Sequence, residues 1–313
     1  MPAIEVEHLM KRYGDATVVD DVSFTVEKGE IFGILGPNGA GKTTIVESIE
    51  GLRRPDAGMI RVLGLDPRQD AAEVRQVLGA QLQESRLPDK LRVWEAMDLF
   101  ASFYRHPAPW PDLLERLGLG ERRDARYKDL SGGQKQRLSA ALALVGDPEI
   151  AVLDELTTGL DPQARRATWD LIEQIRDDGV TVVLVTHFME EAERLSDRVA
   201  VIDGGRLVAV DTPASIVSRN APEQTIRFRP SRPFDVSMLR VLPEVASVRE
   251  HGSRLVVTGT GDVLQSLTAV LARQQIVAED LRIEQANLDD AYVVLTGGPH
   301  PGADDCALTA RRS

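Results

Sequence analysis

The sequence predicts an α/β fold with a parallel sheet, followed by a smaller α+β domain. Short, fully apolar runs alternate with longer helical stretches in the N-terminal part, as in strands that are buried on both faces of a sheet. Near the N-terminus, three short strand-like segments indicate an additional antiparallel sheet. After a boundary at residues 220–222 (Asn-Ala-Pro) the order of elements changes, which indicates the second domain.

The first domain is predicted to span residues 1–219. Its buried parallel strands are expected at residues 31–35, 150–153, 180–185 and 199–202, and its helices include residues 139–145 and 164–175. The antiparallel strands are expected at residues 4–6, 22–26 and 59–62. Residues from about 84 to 130 carry helix signals and the loop PAPWP but little strand signal. They are therefore predicted to form a mostly helical insertion.

The second domain is predicted to span residues 222–297. Strand, helix, strand, strand, helix, strand and a final short helix are expected at residues 225–228, 236–242, 245–249, 255–258, 263–273, 277–283 and 288–295. The order β-α-β-β-α-β is that of a split β-α-β, ferredoxin-like unit. Residues 298–313 have no periodicity and are expected to form a disordered tail.

Composition restricts the class of protein. No apolar run approaches the ~18 residues that a membrane-spanning helix requires, and the charged N-terminus does not resemble a signal peptide. One cysteine, Cys306, excludes an intrachain disulfide and favours a reducing cytosol. The net charge of −12 argues against a broad nucleic-acid surface, so no nucleic-acid partner is expected.

A glycine-rich loop lies between the strand at residues 31–35 and a predicted helix. It matches the pattern G-x-x-x-x-G-K-[ST], and its residues are Gly36, Pro37, Asn38, Gly39, Ala40, Gly41, Lys42, Thr43 and Thr44. The glycines let backbone N–H groups approach a β-phosphate, and the helix N-terminus adds partial positive charge. Lys42 is suited to reach the β- and γ-oxygens and Thr43 to ligate Mg²⁺. The loop predicts a site for a nucleoside triphosphate.

A second anion-binding segment is predicted in LSGGQ, which begins at Leu130. Ser131, Gly132 and Gly133 lie where a helix is expected to begin, so a hydroxyl and several N–H groups point the same way. The alternative interpretation is a simple helix N-cap followed by a flexible turn, which would have the same residues. Two such segments raise a question, because one bound nucleotide has one terminal phosphate.

Two carboxylates, Asp154 and Glu155, follow the predicted strand at residues 150–153. In sheets of this kind ligands bind at the carboxyl ends of the strands. Asp154 is suited to coordinate Mg²⁺, and Glu155 is suited to polarise the water that attacks the γ-phosphate.

His187 comes just after another predicted buried strand, so we expect it at the same sheet edge as Asp154, in contact with the γ-phosphate. Glu190, Glu191 and Glu193 belong to the helix that follows. They are expected to form its solvated face.

Two further side chains are candidates for the same site. Tyr13 follows the first strand and could stack on adenine. Gln83 ends a predicted strand before the helical insertion and could contact Mg²⁺ or water. Gln81 competes for that role, but it is expected inside the strand.

In this order the segments resemble the ATP-binding subunit of ABC transporters, over about residues 1–218. The resemblance implies these roles: Tyr13 in the adenine-stacking loop, Gly36 to Thr44 as Walker A, Gln83 as the Q-loop, Leu130 to Gln134 as the signature, Ile150–Asp154 as Walker B, Glu155 as the catalytic carboxylate, Asp161 as the D-loop and His187 as the switch histidine. It also implies a homodimer in which the signature of one chain faces the ATP held by the P-loop of the other. Such a dimer explains the two anion-binding segments.

The chain departs from the family at Leu156, where proline is usual. Proline would fix φ and restrict the preceding residue. Leucine predicts a less constrained loop after Glu155, with an effect on turnover but not on nucleotide binding.

A single ATPase unit followed by a small domain that ends in NLDDAYVVLTG resembles the ATPases of ABC-2-type exporters, the daunorubicin-type drug-resistance group. This implies a peripheral subunit at the cytoplasmic face of the membrane, which hydrolyses ATP to export a drug, lipid or polysaccharide through a separate permease. The insertion, including residues 87–91 and Trp94, would receive a cytoplasmic helix of the permease. The alternatives are an importer ATPase and a soluble ABC ATPase acting on nucleic acid or the ribosome.

Overall fold

The computed structural model describes residues 1–81, 87–221, 223–252 and 254–297. The chain divides into two compact units, one from Met1 to Pro213 and a second that begins at Ala214. The predicted tail at residues 298–313 and the candidate Gln83 lie outside the described residues. No helix within the described ranges combines the length and apolar character needed to cross a membrane.

The first unit is a layered α/β structure. Its strands are β1 (Ile4–Tyr13), β2 (Ala16–Val26), β3 (Ile31–Leu35), β4 (Ala57–Val62), β5 (Leu78–Ala80), β6 (Ile150–Asp154), β7 (Thr181–Thr186), β8 (Arg198–Asp203) and β9 (Arg206–Asp211). Its helices are α1 (Lys42–Ile49), α2 (Ala71–Val77), α3 (Val93–Ala101), α4 (Trp110–Arg116), α5 (Gly132–Leu144), α6 (Pro162–Asp177) and α7 (Met189–Leu195).

The central sheet has the strand order β5-β6-β7-β3-β8-β9 over the described residues. All neighbouring strands from β5 to β8 pair in parallel, which confirms the predicted parallel sheet. The edge strand β9 pairs antiparallel with β8 and was not expected. The two strands are joined by Gly204 and Gly205, which both have positive φ, as a tight hairpin requires.

A second sheet in this unit has the order β2-β1-β4, and its pairs are antiparallel, as predicted. Strands β1 and β2 are longer than the short apolar segments from which they were predicted. Exposed residues alternate with buried ones along both strands, so apolar runs marked only part of each. The insertion is mostly helical, as predicted: α3, α4 and short 3₁₀ turns at Gly120–Arg122 and Tyr127–Asp129 lie between residues 87 and 130.

The central sheet separates two apolar cores. Ala151, Leu153 and Leu184 face the core that contains α5, α6 and the insertion helices. Val152 and Val183 face the core that contains α1 and the antiparallel sheet. Neighbouring residues of one strand therefore contribute to different cores, as the two-residue period of a β-strand dictates.

The second unit contains strands β10 (Gln224–Pro230), β11 (Val245–His251), β12 (Arg254–Gly259) and β13 (Ala278–Gln285), and helices α8 (Pro213–Asn220), α9 (Ser237–Arg240), α10 (Val263–Arg273) and α11 (Leu288–Thr296). The strand order over the described residues is β11-β12-β10-β13, and all pairs are antiparallel. From β10 to β13 this is the predicted β-α-β-β-α-β arrangement. Its core joins Ile226, Phe228 and Val257 to Leu267 and Leu271 of α10.

The close approach of β5 to α5 generates a test of the fold. A methyl group on Gly79 would overlap the carbonyl oxygen of Ala143, whereas one on Gly132 would meet no atom within 4 Å. We expect Gly79→Ala to lower the free energy of unfolding by roughly 1–3 kcal/mol, because β5 or α5 must move. Urea denaturation measures the change.

Gly132→Ala is the matched control for this experiment, since neither glycine has a positive φ. It is expected to unfold at the same urea concentration as the wild type. Equal stability of the two variants would contradict the described contact between β5 and α5.

Candidate nucleotide-binding site

The glycine-rich loop leaves β3 at Leu35 and enters α1 at Lys42. Gly36, Gly39 and Gly41 have φ values of 156°, 84° and 100°, a region that favours glycine. A methyl group on Gly36 would overlap the carbonyl oxygen of Ile202, and one on Gly41 would lie 2.5 Å from that of Val18. The loop is therefore wrapped against neighbouring backbone, with the start of α1 at its end.

The other residues of the loop divide between its surface and its interior. Asn38 is exposed and Pro37 and Thr43 are half-buried, while Ala40 and Thr44 are buried. The N-terminal N–H groups of α1 are thus next to one hydroxyl that is partly open to solvent, that of Thr43.

Lys42 is buried and lies along the loop. Its Nζ donates hydrogen bonds to the carbonyl oxygens of Gly36 at 2.7 Å and Pro37 at 3.0 Å. Burial lowers the pKa of Lys42, and the nearby carboxylates of Glu155 and Asp154 oppose this effect. The ammonium group thus has electrostatic contact with both candidate carboxylates.

Asp154 and Glu155 lie at the carboxyl end of β6, as predicted. Asp154 is the last residue of the strand and is buried. Glu155 has a φ of 49°, and its N–H donates to the carbonyl oxygen of Val185 in β7 at 2.9 Å. A left-handed backbone is uncommon outside glycine, and such residues cluster at functional sites.

His187 meets Glu155 at this sheet edge, as the order of strands predicted. Its Nδ1 lies 3.0 Å from Oε1 of Glu155. The hydrogen bond to His187 lowers the pKa of Glu155, while partial burial acts in the opposite direction. Glu155 is therefore held as a carboxylate in a fixed position beside the loop.

Leu156 restrains the loop after Glu155 in a way that sequence analysis did not consider. Its side chain is fully buried in the core that contains α5 and α6. Leucine does not fix φ as proline would, but its packing holds the loop against that core.

The LSGGQ segment forms the N-terminus of α5. Ser131 is the N-cap: its Oγ accepts from the N–H of Gln134 at 3.3 Å, and its own N–H donates to Oε1 of Gln134 at 2.9 Å. This reciprocal pair is a capping box. Ser131 and Gly132 are exposed, and Gly133 is half-buried.

Tyr13 and Asp161, two other predicted site residues, each contact neighbouring residues of this chain. Tyr13 is the last residue of β1 and is 41% exposed, with Nζ of Lys11 at 5.4 Å and the guanidinium carbon of Arg53 at 5.5 Å from its ring centroid. Asp161 caps α6, since its Oδ1 accepts from the N–H groups of residues 163 and 164, each at 3.0 Å.

Gln81 lies beyond its strand, contrary to expectation, because β5 ends at Ala80. Its N–H donates to the carbonyl oxygen of Val152 at 2.9 Å, and its Nε2 donates to Oε1 of Gln136 at 3.4 Å. The short strand β5 pairs with β6 over few residues, so the chain leaves the sheet early.

The oxygen donors of the site fit Mg²⁺. Thr43 offers a hydroxyl and Asp154 a carboxylate, and hard oxygen ligands are those that Mg²⁺ prefers. Within the described ranges, no group of three or more His, Cys, Asp or Glu side chains could hold a metal ion.

Sequence reasoning missed the full burial of one glutamate and the partial burial of another. Glu191 was expected on a solvated face but is fully buried, and its Oε1 accepts from Nε1 of Trp169 at 3.1 Å. Glu50 directly follows α1 and is half-buried; burial, with Asp154 and Glu47 nearby, raises its pKa to about 7. Local polarity alone gave no signal for either burial.

Glu50 also lines an apolar groove of about 530 Å³. Leu52 and Phe103 are 63% and 62% exposed there, and Phe100 and Tyr104 complete its aromatic wall. The groove is bounded by α2, β5 and α3, so it lies between the sheet and the helical insertion.

Comparisons with known proteins agree with this geometry. A family model described as ABC transporter matches residues 19–158. Nod factor export ATP-binding protein I of Rhizobium meliloti is 39% identical over 303 residues, covering 94% of this chain and 88% of the relative. The protein of the same name from Paraburkholderia xenovorans is 39% identical over 307 residues, covering 94% of this chain and 97% of the relative.

Solved structures share the fold over about two thirds of the chain. An ATP-binding subunit of an ABC transporter aligns with a TM-score of 0.64 at 29% identity, covering 69% of this chain and 92% of that structure. A bacterial ABC transporter cassette in a dimeric structure aligns with a TM-score of 0.60 at 26% identity, covering 67% and 98%.

The raised pKa of Glu50 predicts a pH dependence of stability. Between its ordinary value of 4.5 and about 7 the folded state binds more protons than the unfolded state, so Glu50 lowers the free energy of unfolding as pH rises. Glu50→Gln removes this effect. We expect the variant to gain roughly 1–3 kcal/mol relative to wild type between about pH 5 and about pH 8.

Urea unfolding of the nucleotide-free protein in EDTA at both pH values measures this difference. The exposed Glu73 of α2 provides the control, because Glu73→Gln should give the same difference from wild type at both pH values. A pH-independent effect of Glu50→Gln would show that Glu50 titrates in its ordinary range.

Proposed function

The chain belongs to the ATP-binding subunits of ABC transporters, and we propose that its ATP hydrolysis drives export of a drug, a lipid or a polysaccharide through a separate permease. The relatives above are named for Nod factor export, which supports export over import. We place the protein at the cytoplasmic face of the membrane, as a peripheral subunit.

The proposed chemistry rests on one observation. Lys42, Glu155 and His187 lie together at the edge of the sheet where Asp154 is the last residue of β6. Lys42 exchanges its two carbonyl partners for β- and γ-phosphate oxygens. Thr43 and Asp154 would hold Mg²⁺, which would supply positive charge against the triphosphate. The loop from Gly36 to Thr44 encloses the phosphates.

Glu155 accepts a hydrogen bond from the attacking water and orients it in line with the γ-phosphate. His187 holds Glu155 through Nδ1, which leaves Nε2 as the ring nitrogen for the γ-phosphate. In the same site we assign Tyr13 to the adenine ring and Gln83 to the metal or its water.

We further propose a head-to-tail homodimer with two ATP molecules, each between the P-loop of one chain and the signature of the other. Glycine at position 132 is not required by the packing of this chain, since a methyl group there meets nothing within 4 Å. Space beside a helix N-terminus supports the close approach of an outside anion. Asp161, at the N-terminus of α6, lies at this interface.

The groove beside Glu50 is our candidate for the permease contact. Leu87 and Leu91, which the sequence suggested for this role, are partly buried against the core. Leu52 and Phe103 instead expose apolar surface on the groove, as a docking site for an amphipathic helix requires. The second unit has its own core, and we assign it to regulation or assembly with the twin subunit or the permease.

Glu155→Gln tests the proposed reaction. The neutral amide polarises the attacking water much less than a carboxylate does, so kcat should fall at least about 100-fold while Mg-ATP still binds. With ATP retained, light scattering should detect a stable dimer. Glu190→Gln, at an exposed position of α7, is the control and should leave turnover unchanged. Wild-type turnover by the Glu155 variant would refute this assignment.

Phe103→Glu tests the permease contact. We expect normal ATP hydrolysis by the isolated protein but about tenfold weaker association with permease-containing membranes, since a charge would be buried in the interface. Leu99→Glu is the control, because Leu99 is exposed on α3 but does not line the groove. Equal association of both variants would place the contact elsewhere.

A further inference from the structure

Phe188 lies directly against the switch histidine. The ring centroids of His187 and Phe188 are 4.0 Å apart, with the planes inclined by 40°. Phe188 also caps the start of α7, and its N–H donates to Oγ1 of the buried Thr186 at 3.0 Å. A hydrogen bond therefore links the two residues that flank His187, and the Phe188 ring packs against the imidazole.

Arg165 of α6 packs on the same aromatic ring. Its guanidinium carbon lies 5.1 Å from the centroid of Phe188, within the range of a cation–π contact. Its Nε is buried without a hydrogen-bond partner in the described part of the chain. Among the described residues, the Phe188 ring is therefore the main contact of the Arg165 guanidinium.

The position of α6 relative to α7 is itself fixed. Trp169, one turn beyond Arg165, donates from Nε1 to Oε1 of the fully buried Glu191 on α7 at 3.1 Å. This buried hydrogen bond holds both helices in one register, because breaking it would leave buried polar groups without a partner. Arg165 is consequently held over Phe188 by the packing of the two helices.

The first turn of α6 also lies near the signature segment. A methyl group on Gly133 would lie 3.7 Å from Cβ of Ala164 and 3.8 Å from Cδ2 of Leu160, a spacing of ordinary van der Waals contact. Ala164 and Arg165 are neighbours in that turn. The turn therefore lies beside Gly133 of the signature and, through Arg165, contacts the Phe188 ring.

We propose that Arg165 and Phe188 are positioning residues for ATP hydrolysis: together they hold His187 at hydrogen-bond distance from Glu155 and connect this pair to the signature segment of the same chain. The inference rests on the proposed role of His187. Neither residue touches nucleotide in this assignment, and both act through the orientation of the imidazole.

Steady-state hydrolysis by the full chain tests the inference. Phe188→Leu and Arg165→Met should each lower kcat about tenfold, since small misplacements of a catalytic group cost this much or more. The KM for ATP should stay within about twofold, because neither side chain is assigned to phosphate binding. Phe188→Tyr keeps the ring and should retain wild-type kcat. Arg166→Met, at the exposed neighbouring position, is the matched control.

A double variant identifies the route of the effect. If Arg165 acts through His187, Arg165→Met should not reduce kcat further in a His187→Ala background. The same tenfold loss in that background, or wild-type kcat for both Phe188→Leu and Arg165→Met, would overturn the inference. Wild-type kcat for His187→Ala alone would instead remove its premise and the proposed role of His187.

Discussion

The central sheet is covered on both faces, and this constraint places the chemistry of the protein. Parallel strands satisfy their backbone hydrogen bonds with one another and bury apolar side chains on each side. In β3, β6 and β7 every residue is buried. Polar groups are tolerated where these strands end. Lys42, Asp154 and His187 follow or complete different strands, yet one sheet edge gathers them.

Electrostatics then set the character of that edge. Lys42 is buried among backbone carbonyl oxygens, and its charge is favoured by the two carboxylates at the carboxyl end of β6. The negative charge of Asp154 disfavours ionisation of Glu50 and so contributes to the raised pKa of that carboxyl. A bound cation on Asp154 would change both interactions, so the groove beside Glu50 is electrostatically linked to the nucleotide loop.

The sequence was most informative where a local pattern reflects a local structure. Apolar runs located β3, β6 and β7, and the helical periodicity of apolar residues gave the bounds of α10. The loop of residues 36–44 connects a strand to a helix, as predicted. Contacts between segments that are distant in the sequence are not marked by any such local pattern. The burial of Glu191 depends on Trp169 from another helix, and Leu156 is fixed by a core that no local pattern describes.

The edge strand β9 had a usable signal in Gly204-Gly205, which permits the positive φ values of a hairpin turn. Its residues are only partly buried, so apolar periodicity did not identify it. The contact of Arg165 with Phe188 joins two helices and is encoded by neither alone.

The division of each central strand between two cores has a consequence for how such proteins diversify. Residues 151 and 153 support the insertion and the signature helix, whereas residues 150 and 152 support the nucleotide loop. A substitution on one side of the sheet thus changes the side chains of one core and leaves those of the other core in place. A lineage can remodel the helices that meet new partners and keep an ancestral phosphate site intact.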